Sequence, residues 1–300
     1  MNELIQILKN ASKFSDNSGW KEVAPNISTD ILKQVHNFDV SIITSTIDEF
    51  EELQKQLGNL EEYETDLDDS TLYYACEFET DRGDVNIVVP YPIAMGIEGS
   101  VCNTTKIINS FHPQYLFMIG VCAGNSNVTN IGDLIIAEKS LNYNSIVEIE
   151  KSDGTTRKKY MQNADGINKN LKSKLSRFFS AAELKLIKDS NPKTDLFDKE
   201  LKRHIGLMVT GSSLMRSDEK IKDINESYHN VKGLDMETNG FYFTSTHSAN
   251  TTPNFVCIKG VSDYGDTVKH KIKSTDRKDY ALYNSVNGTL KFMKKEVIIK

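Results

Sequence analysis

The chain has 300 residues, 26% of them charged and 38% hydrophobic, with a formal net charge of -6. These proportions belong to an ordinary globular protein and exclude wholesale disorder. Acidic and basic residues are interleaved, and no basic stripe with interleaved aromatics marks a nucleic-acid platform. The longest apolar stretch, Tyr115 to Gly124, is too short to span a bilayer, and Met1 to Asn10 carries Glu3 and Lys9 where a signal peptide needs an apolar run. Cys76, Cys102, Cys122 and Cys257 lack CxxC spacing, and three lie in apolar segments, so reduced thiols in a cytoplasmic protein are expected.

Residues 1–38 stand apart. Leu4, Ile5, Leu8 and Ala11 have helical spacing, a polar turn follows at Ser15 to Gly19, and Ile31 to Val35 is a second periodic piece. This N-terminal helical appendage is too small to build its own core. From Asp39 the pattern alternates. Val40 to Ser45 is a β-branched run predicting a buried strand, and Asp48 to Leu60 predicts a helix with an acidic outer face. Leu72 to Phe78 and Val85 to Val89 predict paired strands around the turn Asp81 to Asp84. Val101 to Phe111 predicts a helix ending before Pro113, and Tyr115 to Cys122 a central strand covered on both faces. Leu134 to Leu141 predicts another strand.

The lysine-rich stretch from about 145 to 205 is expected to be an insertion laid over the main sheet, with helical pieces at Leu171 to Phe179 and Ala181 to Ile187. Strand character returns at Ile205 to Thr210 and Phe255 to Val261, and helical character at Glu237 to Ser248 and Tyr280 to Met293. The expected fold is a single layered α/β domain over 39–300, a central mixed β-sheet flanked by helices. Ligands gather beyond the carboxyl ends of strands in such sheets, which selects Glu49, the Val121 to Gly124 turn, Glu237 and Asp263. Each has a bland alternative. Glu49 begins an acidic helix, Asp263 has turn or cap composition, and Glu237 suits a helix N-terminus. The six histidines show no metal-ligand spacing, so no metal or other cofactor is expected.

Six landmarks then follow one another in order. They are Ile42 to Glu51 (IITSTIDEFE), Met118 to Gly124 (MIGVCAG), Ile131 to Leu134 (IGDL), Gly206 to Ser212 (GLMVTGS), Gly233 to Glu237 (GLDME) and Ile258 to Asp263 (IKGVSD). This set resembles the nucleoside phosphorylase/nucleosidase superfamily, including purine nucleoside phosphorylases and methylthioadenosine/S-adenosylhomocysteine nucleosidases. The resemblance implies cleavage of a purine N-ribosidic bond. By it, Asp263 protonates the leaving base with Ser262 as its hydroxyl neighbour, and Glu49 activates water. Glu237 and Met236 bind the ribose, Cys122 and Ala123 line the nucleoside site, and Leu214 and Met215 meet the base. Leu214 stands where nucleosidases often carry an aromatic ring. The positions that hold phosphate in the phosphorylases match Met118 and Val121, neither an anion donor, and Glu98 puts a carboxylate in the glycine loop. Hydrolysis is therefore expected over phosphorolysis.

The C-terminal half, Gly233 to Tyr242 with Ile258 to Asp263, is most similar to nucleosidase effectors of bacterial antiphage systems, some of which deplete adenine nucleotides. That implies an adenine nucleoside or nucleotide as substrate and a defence partner acting through 1–38 or 145–205. Superfamily membership also implies a homo-oligomer, a dimer or larger, without membrane or direct nucleic-acid partners. A housekeeping methylthioadenosine/S-adenosylhomocysteine nucleosidase, a phosphate-dependent phosphorylase and a catalytically degenerate nucleoside-binding scaffold are the alternatives. The cluster Lys269, His270, Lys271 and Lys273 reads either as a solvated loop or as a contact to nucleotide phosphates.

Overall fold

In the computed structural model, residues 38–65, 70–150, 156–161, 163–212, 218–248, 252–266 and 271–298 are described, all within one compact unit, Phe38–Lys300. The expected N-terminal appendage lies outside the described residues except for Phe38. So do Leu214, Met215, Lys269 and His270.

The strands are β1 (Val40–Ile43), β2 (Glu61–Tyr63), β3 (Tyr73–Thr80), β4 (Gly83–Pro90), β5 (Tyr115–Gly124), β6 (Leu134–Asn142), β7 (Ile146–Glu150), β8 (Thr156–Tyr160), β9 (Asp165–Gly166), β10 (Arg203–Thr210), β11 (Val231–Asp235) and β12 (Asn254–Asp263). The helices are α1 (Ile47–Leu57), α2 (Ile97–Phe111), α3 (Lys169–Phe178), α4 (Ala181–Ser190), α5 (Asp218–Ser227), α6 (Thr238–His247) and α7 (Ser274–Glu296). The ten-stranded mixed sheet runs β11-β10-β6-β12-β5-β1-β4-β3-β2, with β9 beside β6. An antiparallel pairing of β11 with β5, Gly233 opposite Gly124 and Leu234 opposite Ala123, joins the end of that path back to its middle. The strands β5, β12, β6, β10 and β11 thereby form a closed ring. The ends of β1, β5, β11 and β12 share one rim of it.

β5 explains the layering. Its side chains alternate between faces because the strand repeat is two. Tyr115, Phe117 and Ile119 join one apolar core with Val40, Ile42, Val256, Ile258 and, from α7, Phe292 and Met293. Leu116, Met118 and Cys122 join another with Ile43, Cys257, Ile107 and Phe111 of α2 and Phe241 and Tyr242 of α6. Helices thus cover both faces, which is why β5 reads as one unbroken apolar run.

The stretch 145–205 holds more than the two expected helices. It opens with the hairpin β7–β8, whose second strand, TRKKY, carries no apolar alternation, and includes β9. Its helices also extend the main core: Leu171, Leu175, Phe178, Phe179 and Ile187 pack in the cluster that contains Phe292, and the Phe179 and Phe292 rings stack at 6.3 Å. α2 begins at Ile97, four residues before the expected Val101, because Gly96 at φ 98° turns the chain into it. α5 and β11 were not anticipated as separate elements.

β12 and α7 meet backbone to backbone at Gly260, where a Cβ would stand 2.0 Å from the Ala281 carbonyl oxygen. Gly260→Ala must push the strand and helix apart. A loss of about 1–3 kcal/mol or more is expected, read as a lower denaturant midpoint at unchanged slope.

Candidate active site

Glu49 is placed by a helix start. Thr46 caps α1 with its hydroxyl on the Glu49 N–H, and the Glu49 carboxylate returns to the Thr46 N–H, a complete capping box. Yet Glu49 is only 2% exposed, so the bland reading of a solvated acidic face does not describe it. Its Oε2 also accepts from the Ser45 N–H at 2.8 Å, and Oε1 accepts from the Val121 N–H of β5 at 3.1 Å. The carboxylate reaches β5 because residue 120 is glycine: φ is 142° there, and a Cβ would lie 2.1 Å from Glu49 Oε1. Burial raises the Glu49 pKa, against the opposing pull of Lys259 and the Ser45 N–H. Three of about four carboxylate lone-pair positions are filled, leaving one for a ligand or water. The buried Thr44 and Ser45 hydroxyls beside it have no hydrogen-bond partner among the described residues.

Glu237 precedes α6 at the N-cap position but makes no side-chain cap bond, so it is not the helix-capping acid that its position suggests. Asp235 takes that duty, accepting from the Thr238 N–H at 3.0 Å and from the Thr238 hydroxyl. Glu237 Oε1 accepts from the Gly96 N–H at 3.1 Å, and Oε2 receives Lys259 Nζ at 2.8 Å. Lys259 Nζ also lies 3.0 Å from Asp235 Oδ2, with its side chain fully buried. Burial pulls the Lys259 pKa down, but Asp235, Glu237 and Glu49 overcome it and hold the pKa well above the ordinary lysine value. Lys259 and Asp235 are site residues that sequence reasoning did not single out. A lysine inside the apolar run Phe255 to Val261 was the available signal, since a buried ammonium must be paired.

Asp263 ends β12, where the pairing with β5 slips between Val261 and Asp263, a bulge that re-aims the strand end. Asp263 Oδ1 accepts from the Gly265 N–H at 2.8 Å. The Ser262 hydroxyl stands 2.8 Å from Asp263 Oδ2 and 3.3 Å from the Cys122 carbonyl oxygen. Segment 121–123 of β5 therefore runs between Glu49 on one side and Ser262 and Asp263 on the other. Ala123 pairs with both Leu234 and Asp263, so its backbone belongs to the ring as well as to the site. Met236 is half-buried next to Glu237. Burial pushes the Cys257 thiol up to about 12 and the Cys122 thiol well above its ordinary value, so neither is a ready nucleophile. Met118 is fully buried in the core, and among the described residues no cluster of three or more His, Cys, Asp or Glu suits a metal ion.

The sequence model of the phosphorylase superfamily matches residues 39–285. The chain belongs to this superfamily. Within it, a 5'-methylthioadenosine/S-adenosylhomocysteine nucleosidase from Buchnera aphidicola is 29% identical over 165 residues, 55% of this chain and 61% of the relative. An uncharacterised protein from Sinorhizobium fredii is 22% identical over 203 residues, 67% of this chain and 48% of the relative. The matches thus span about half to three fifths of these curated relatives' lengths. The superfamily fold is shared with the nucleosidase of Neisseria meningitidis in complex with methylthio-immucillin-A, at TM-score 0.62 and 19% identity over 85% of this chain and 98% of that one. The enzyme of S. pneumoniae with the transition-state inhibitor MT-ImmA gives TM-score 0.64 and 18% identity, with the same coverage.

The buried Lys259 ties the β12 interior to the β11–α6 junction. Lys259→Met would leave Asp235 and Glu237 buried without their cation, and a loss of about 3–5 kcal/mol is expected in equilibrium unfolding. A midpoint within error of the parent would show that the ammonium does not hold this junction.

Proposed function

We propose that the chain hydrolyses the N-ribosidic bond of an adenine nucleoside or nucleotide, releasing the free base. The observation that carries the choice of water as nucleophile is the Glu49 contact with the Val121 N–H at 3.1 Å. A carboxylate stands where a phosphate nucleophile would need donors, and the neighbouring unpartnered groups are neutral hydroxyls. The substrate class rests on the superfamily match and on the methylthioadenosine/S-adenosylhomocysteine nucleosidases among the relatives.

The geometry supports the following roles. Glu49 uses its remaining lone pair to orient water and takes its proton as the water oxygen bonds to the anomeric carbon. The bond from that carbon to the purine breaks, its electron pair passes to the base, and Asp263 supplies a proton to purine N7. Once the proton has passed to N7, the Ser262 hydroxyl donates to the Asp263 carboxylate at 2.8 Å. Glu237, held by Gly96 and Lys259, accepts from ribose hydroxyls, and Met236 packs beside the sugar. Leu214 and Met215 are assigned to the base by resemblance alone. The positive charge that develops on the sugar in the transition state is met by the carboxylates of this rim.

A homo-oligomer belongs to this reading, since Ile93 and Met95, just before Gly96, are 50% and 60% exposed. Depletion of adenine nucleotides in antiphage defence would be the same hydrolysis applied to a phosphorylated substrate, with 1–38 or 145–205 as the attachment for a partner. The housekeeping reading takes methylthioadenosine instead.

Incubation with adenosine, methylthioadenosine, AMP and ATP, with and without phosphate, decides among these by chromatography of the products. Free adenine without phosphate is expected from at least one of them; ribose 1-phosphate would overturn hydrolysis. Asp263→Asn should abolish adenine release, by at least about 100-fold, with an unchanged melting temperature. As a base Glu49 works ionised, so turnover falls as pH drops through its raised pKa. The acid limb of kcat/KM should therefore lie above 4.5, the ordinary glutamate value. A limb at or below that value would remove Glu49 from the role.

A further inference from the structure

A cavity of about 210 Å³ opens at the N-terminal end of α7, with Asn130, Asp198, Lys199, Tyr264, Lys271 and Arg277 in its wall. Arg277 lies in the first turns of the helix and is only 9% exposed. Its Nε and Nη1 are buried and carry no hydrogen-bond partner among the described residues. A guanidinium stays charged at every accessible pH, and burying its N–H groups unpaired is among the costliest arrangements a fold can hold. Such a group is expected where a ligand completes it.

The surroundings state the ligand's charge. Lys199, Lys271 and Arg277 outnumber Asp198, the one carboxylate in the wall, while Asp133 and Asp266 act on Tyr264 as well; the excess of cations in the wall favours an anion. α7 is 23 residues long and its N-cap residue, Lys273, provides no side-chain cap, so the positive end of a long helix dipole lies at the same place. Lys199 Nζ is held 2.8 Å from Asn130 Oδ1, which keeps the ammonium at the wall. Burial and Asp133 raise the pKa of the half-buried Tyr264 phenol, so it remains a neutral hydroxyl there. Glu49, Glu237 and Asp263 are absent from the wall, so an anion bound here is not the attacking nucleophile. Tyr264 nevertheless follows Asp263 directly in the chain.

We infer that this cavity is an anion site built for the phosphate group of a small ligand, with Arg277 as its central donor. Free phosphate and the phosphate of a nucleotide share this chemistry, and calorimetric titration of the full chain with inorganic phosphate, AMP and adenosine separates the two. Inorganic phosphate is not turned over, so its arm stands apart from the hydrolase assignment, and the AMP and adenosine arms are run in the Asp263→Asn background, where cleavage is blocked. Arg277→Met should weaken the anion by roughly tenfold or more and Arg277→Lys by less, while adenosine binding stays unchanged. Loss confined to inorganic phosphate assigns the site to free phosphate; loss that includes AMP assigns it to the nucleotide's phosphate. If Arg277→Met does not fold, the exposed pair Lys199→Ala and Lys271→Ala carries the test, with several-fold weakening expected. No binding of either anion to the parent chain, or equal binding by the folded variants, overturns the site.

Discussion

An ammonium group with no solvent exposure sits between two carboxylates at the centre of this protein. Lys259 lies within 3.0 Å of both Asp235 and Glu237, and its side chain is wholly removed from the protein surface. The arrangement is tolerable only if both acids are delivered together, and the turn from β11 into α6 does that. Because Lys259 belongs to β12 while Asp235 ends β11 and Glu237 comes two residues later, the ion cluster depends on the ring that brings these strands to one rim. The β11–β5 pairing at Gly233 and Gly124 closes that ring, and small residues there let the backbones approach. Fold closure and site assembly are therefore the same event.

Glu49 illustrates a second coupling. Its carboxylate completes a capping box at α1 and also grips β5 through Val121, so its structural and chemical readings are compatible. Helix capping positions the side chain, and burial then changes its acid–base character. Gly120 supplies the space. At the opposite side of the same β5 segment a bulge turns Ser262 and Asp263 toward the rim. Two independent local devices, a helix cap and a strand irregularity, thus aim acids at one short piece of strand.

Legibility in the sequence followed burial. β5 and β12, apolar along most of their length, were plain because a strand covered on both faces has no polar side to confuse its pattern. α1 was plain because Phe50, Leu53 and Leu57 repeat at helical spacing. The hairpin β7–β8 was not, since Thr156 to Tyr160 reads TRKKY and carries no apolar alternation. The start of α2 was missed because Gly96, Ile97 and Glu98 suggest a loop, whereas the glycine there turns the chain into the helix and donates its N–H to Glu237. Lys259 stands in the motif Ile258 to Asp263 with no legible role, because its partners are 22 and 24 residues away and only the ring makes them neighbours.

The sequence by itself determined the superfamily, the mixed α/β architecture from residue 39 onward and the candidacy of Glu49, Glu237 and Asp263. Those follow from local periodicity and ordered motifs, which need no knowledge of packing. Tertiary structure alone decided that Glu237 is held by a buried lysine, that Asp235 caps α6 in its place, and that Glu49 is buried with three backbone N–H groups on its carboxylate. It alone placed Arg277 in a cavity wall with two buried nitrogens that lack a partner among the described residues. Partnership and desolvation are properties of the space around a group, and that space is formed by segments far apart in the chain.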